Sequence, residues 1–131
     1  MINKRFIYDD LVQSLNGKLN NIEFLISSAI ESRDSDMKSS VGDKHETTRA
    51  KIQSDIDNYS KQKLNIVEKL KLLASININQ KNSKVENGAL VETNIGFFFI
   101  AIGIGKWTVK NEQFFVISLA SPIGKLMKDK V

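Results

Sequence analysis

Asp43 and Glu46 stand three residues apart in the stretch SSVGDKHETTRA, with the chain's single histidine, His45, between them. Two readings of this D-x-x-E pattern compete. An acid at a helix N-cap with a glutamate three residues on is a capping box, in which both carboxylates accept from free backbone N–H groups. Alternatively, residues three apart on a helix have Cβ atoms about 5–6 Å apart, close enough to share one divalent cation or its waters. Mg²⁺ takes oxygen ligands and keeps several waters, so an exposed pair of carboxylates holds it weakly unless another molecule completes the shell. A zinc site needs three or four close ligands, and there is no cysteine and no second histidine. His45 is therefore read as ordering the turn, touching a partner, or simply solvated.

Other chemistry finds little support. Gly103-Ile104-Gly105-Lys106 lacks the first glycine of a phosphate loop and the Ser/Thr after its lysine, and reads as a hairpin turn. Ser118 and Ser121 have no histidine near them in sequence, which argues against a self-contained hydrolase. Basic and aromatic residues are not interleaved as single-strand stacking requires. Without cysteines there are no disulfides and no thiolate chemistry, which fits a reducing compartment. The apolar run from Ile95 to Gly105 has 11 residues, where a membrane span needs about 20. It reads as buried strand, no signal peptide is visible in MINKRFIYDD, and the expected location is the cytoplasm.

Charge is unevenly placed. The chain is +4 at neutral pH, residues 81–131 are net +3, and residues 31–46 are net −2. An acidic turn on a mildly basic protein is a poor grip for phosphate, so no independent nucleic-acid binding is expected.

Two long helices must position this turn. From Asp9 to about Arg33, apolar residues fall at Leu11, Leu15, Leu19, Ile22, Ile26 and Ala29, one face of a helix, with Asp9 or Asp10 as its cap. From about Lys44 to Ile76, the positions Ile52, Ile56, Tyr59, Lys63, Ile66, Leu70 and Leu73 form a heptad seam carrying one lysine. Continued backwards, the seam becomes polar through Arg49 and His45. The two segments predict an antiparallel hairpin over 1–78 with an acidic tip near 39–46. The second helix, about 50 Å long, should project beyond a small domain. A polar linker follows over 79–88. Residues 89–131 then predict strands over Leu90–Thr93, Phe97–Ile104, Trp107–Val109 and Phe114–Ser118, and a short helix capped by Ser121 with Pro122 as its first residue. The fold class is α+β.

The order of these features resembles the bacterial transcript cleavage factors GreA and GreB, in particular a Gre-like branch of Bacteroidetes-type bacteria. Gly42-Asp43-Lys44-His45-Glu46 matches the Gly-Asp-x-x-Glu of that family's coiled-coil tip. Ile117-Ser118-Leu119-Ala120-Ser121-Pro122-Ile123-Gly124 matches its C-terminal Ile-Ser and Ser-Pro signature. The resemblance implies a coiled coil followed by a small FKBP-like β-rich domain. It further implies binding to the RNA polymerase secondary channel and Mg²⁺-dependent cleavage of backtracked RNA, with the RNA 3′ end met only inside the polymerase. The chain would then be an accessory factor and not itself an enzyme. Asp43 would bind the second Mg²⁺ of a two-metal site, and Glu46 the ion or its water. Gly42, His45 and Arg49 would support the tip, and Ser121, Pro122 and Ile123 would dock on the polymerase. Two departures stand out. His-Glu-Thr-Thr-Arg replaces the family's Glu-Asn-Ala-Glu-Tyr run. The C-terminal domain is short of the strands that follow the helix, leaving an open sheet edge that favours a dimer. The alternatives are a secondary-channel regulator that blocks without cleaving, and a coiled-coil adaptor with no polymerase role. An independent nuclease fits least, because one exposed acid pair does not build a two-metal site.

Overall fold

The structure is a computed structural model that describes residues 3–36 and 42–131, except the side chains at 36 and 42–46. Its elements are α1 (Lys4–Asp36), α2 (Gly42–Ala74), β1 (Leu90–Thr93), β2 (Gly96–Ile100), β3 (Gly105–Val109), β4 (Glu112–Ile117) and α3 (Pro122–Met127). This is an α+β chain: two helices of 33 residues each, then a four-stranded mixed sheet. No helix among the described residues is long and apolar enough to cross a membrane. The chain packs as two units, one of Met1–Ser14 with Lys69–Val131 and the other of Leu15–Glu68.

In the helical unit the expected stripe carries the packing. Leu15 and Ile22 on α1 and Ile56 on α2 are buried. Ile52, Tyr59, Lys63 and Ile66 lie half-buried along the same face of α2. Removing these side chains from water is the main force holding two helices whose glycine and asparagine content gives them little intrinsic stability.

The other unit begins earlier than Asp9. Asn3 caps α1, its side-chain oxygen accepting from the Phe6 N–H at 3.2 Å, and the apolar spacing extends back through Leu11 to Ile7, both fully buried. Asp9 and Asp10 therefore lie inside the helix. Asp10 instead accepts from the Trp107 indole N–H at 2.8 Å, which joins the start of α1 to β3. Tyr8 donates to the Leu73 carbonyl at 2.9 Å, joining it to the end of α2.

The sheet order is β1-β2-β4-β3, with β2 parallel to β4 and the other pairs antiparallel. The Gly103–Lys106 stretch is thus not a hairpin turn. Gly103 and Ile104 belong to the connection that carries the chain past β4 to the far edge, while Gly105 and Lys106 already begin β3; the Ala101 and Ile104 N–H groups still donate to the Ile117 and Val116 carbonyls. The true hairpins are tight. β1 and β2 meet across Asn94-Ile95, and β3 and β4 across Lys110-Asn111, where both residues take the positive φ that such a two-residue turn demands. One sheet face carries buried Phe99, Phe114 and Val116, with Trp107 beside Phe114 in register. On the other, Val85, Ala89, Phe98 and Ile100 form a small core flanked by Val91, Phe115, Ile117, Leu119 and Met127.

The segment before β1 is polar, yet it is tied down. Lys4 donates to the Gln80 carbonyl, to Asn82 at 2.8 Å and to the Gly88 carbonyl at 3.0 Å. Partial burial lowers its pKa, and Glu86 acts in the opposite sense. Val85 exchanges backbone bonds with the C-terminal residues, donating to Lys130 and accepting from Asp129.

Candidate functional site

The first element of the expected site is the start of α2. The helix opens at Gly42, which places Asp43 within its first turn and Glu46 one turn on. Acids are favoured there because the unpaired N–H groups and the helix dipole present positive potential. The side chains of Gly42, Asp43, His45 and Glu46 lie outside the described residues. The donor set is that of a hard cation: two carboxylates three residues apart on one helix suit Mg²⁺ with most of its waters retained. Among the described residues, no group of three His, Cys, Asp or Glu side chains is gathered around a common point.

Arg49, the remaining tip residue, is half-buried one turn further along. Its Nε–H is shielded from solvent and meets no acceptor among the described residues. With Arg33, Ala50 and Gln53 it lines an open hollow of about 400 Å³. Arg33 donates to the Gln53 side-chain oxygen at 2.8 Å, a bond from α1 to α2, while Gln53 donates to Asp57 at 3.1 Å. Arg33 also meets Asp34 at 3.3 Å. Arg33, Gln53 and Asp57 therefore form a bonded polar network between α1 and α2 beside Arg49. Arg33 and Gln53 were not picked out from sequence; the signal available was that both sit where the apolar stripe gives way to polar residues.

The second element is the corner before α3. Ser121 sits at the N-cap with extended backbone, its Oγ accepting from Gly124 N–H at 3.0 Å and donating to the Ser118 carbonyl at 2.7 Å. Pro122 occupies the first helical turn. A Cβ at Gly124 would lie 2.0 Å from the Ser118 carbonyl oxygen, so the signature residues Ser118, Ser121 and Gly124 form one close-packed turn. Ser121 is thus occupied internally. Pro122 and Ile123 are exposed, and Leu126, three residues after Ile123, is 74% exposed. Leu126 was missed in sequence although the i, i+3 spacing from Ile123 predicts that the two share a face.

Compared with protein-family models, with curated proteins and with solved structures, the chain matches none.

Proposed function

We propose that this chain is a Gre-like transcription elongation factor that enters the secondary channel of a bacterial RNA polymerase and lends Asp43 and Glu46 to Mg²⁺-dependent cleavage of backtracked RNA. The observation that carries the reading is the placement of Gly42-Asp43 at the opening of α2, on a chain whose helices lead into a small sheet ending in the Ser121-Pro122 corner. In this reading the sheet unit is the FKBP-like docking domain. The exposed Pro122, Ile123 and Leu126 supply its contact, and Lys125 and Lys128 surround it with positive charge.

The chemistry divides between two proteins. The polymerase supplies one Mg²⁺ and the RNA; Asp43 helps hold a second Mg²⁺, and Glu46 holds the ion or orients its water. Weak affinity in the free factor suits this division, since the site is completed only where the polymerase adds ligands. Gly42, His45 and Arg49 shape the turn that presents the acids.

Association is tested first. The purified chain should co-elute with cognate core polymerase, and Ile123→Glu, which puts a buried charge at the contact, should weaken that association at least about tenfold while the fold is retained. Wild-type protein that fails to bind the polymerase would leave the adaptor reading.

A further inference from the structure

β1 is an edge strand, and its outward side is unpaired. Its register with β2 runs Thr93↔Gly96, Glu92↔Phe97, Val91↔Phe98, Leu90↔Phe99 across a two-residue turn. In such a hairpin, alternate residues bond inward. Thr93 and Val91 face β2, and the alternation continues at Ala89, whose carbonyl accepts from Ile100 N–H at 2.9 Å. The N–H and C=O groups of Leu90 and Glu92 therefore point away from the sheet. No backbone bond outside the ladders reaches them among the described residues. Beside them runs an open cleft of about 230 Å³ whose walls include Lys84, Val85 and Lys130. The opposite edge, β3, is guarded differently: it carries Lys106 and leads into Lys110, and lysines on an edge discourage pairing.

We propose that a second copy of this chain occupies the β1 edge, the two β1 strands pairing antiparallel about Val91. This inference does not depend on the polymerase reading. The register is self-complementary. Leu90 of each copy lies opposite Glu92 of the other, and each such pair exchanges both N–H···O bonds through the groups now unpaired. Val91 meets its counterpart directly on the face of Phe98. Val91 is half-buried against the cluster of Val85, Ala89, Phe98 and Ile100, so the second valine extends an apolar patch that ends at this edge. Glu92 is exposed and enters no ion pair among the described residues. Opposite the other copy's Leu90 it stands beside that copy's edge cleft, which Lys130 and Lys84 line, Lys84 also meeting Asp129 at 3.4 Å. The two sheets become one.

Size-exclusion chromatography with light scattering over about a hundred-fold concentration range tests this. The mass should rise from 14.8 kDa toward twice that value. Leu90→Pro removes only an outward N–H at the first residue of an edge strand, a place where proline is tolerated, and should stay monomeric with unchanged circular dichroism. Glu92→Lys, which sets like charge against Lys84 and Lys130, should do the same and decides the matter if the proline variant unfolds. A wild-type mass of one chain at every concentration overturns the proposal, as does a dimer that persists in the folded variants.

Discussion

At the scale of single residues, Ser121 and Gly124 hold the corner before α3 together. Ser121 caps α3 and ties back to Ser118, and Gly124 has no room for a methyl group because the Ser118 carbonyl stands where its Cβ would be. Gly124→Ala should cost about 1–3 kcal/mol through this overlap, measured as a lowered midpoint in urea unfolding; an unchanged midpoint would mean the corner opens freely. Trp107 offers a gentler probe. Trp107→Phe keeps an aromatic ring on β3 but removes the donor to Asp10, and should lower stability by about 1 kcal/mol. The tip residues were legible in sequence as a pattern, D-x-x-E after glycine. The pattern alone does not divide cap from ligand, because both uses ask for carboxylates at the same spacing on the same turn.

At the scale of elements, local signals mark where an element begins and ends, whereas strand pairing depends on residues far apart in sequence. β1 was expected over Leu90–Thr93 and is found there, since Val, Thr and Leu bounded by Gly88 and Asn94 mark both ends. α3 begins at Pro122 behind Ser121 as expected. The start of α1 was misplaced because two adjacent aspartates make an attractive cap, whereas Asn3 holds the position and Ile7 continues the stripe. The glycines of the β2-to-β3 connection suggest a hairpin, yet they mark a turn without saying which strands it joins. Only the pairing of β2 with β4 decides that. The seam of α2 carries its own prediction. Lys63 is half-buried among apolar positions, and a charged residue there costs stability in exchange for register. Lys63→Leu should raise stability by about 1 kcal/mol, visible as a higher thermal midpoint. A lower midpoint would show that the lysine ammonium has an essential partner.

At the scale of the whole molecule, the chain packs as two units. The sheet unit is held together from several directions: Lys4 grips the segment before β1, Tyr8 the end of α2, and Asp10 the β3 strand. This ties α1's first turns to the same unit as the sheet. The helical unit carries a polar network of Arg33, Gln53 and Asp57, where the apolar stripe gives way to polar groups. In the proposed function, the opening of α2 supplies metal-binding acids to a polymerase. This role is tested most directly by RNA cleavage in stalled, backtracked complexes of the cognate polymerase with Mg²⁺ present, comparing wild type with Asp43→Asn. Asparagine keeps the size of aspartate and an oxygen that accepts from free N–H groups in a first helical turn, but it is neutral and a poorer Mg²⁺ ligand. Wild type should stimulate cleavage, and the folded Asn variant, still bound to polymerase, should lose at least about tenfold of that stimulation. Equal cleavage by both proteins, or none by either, contradicts that role.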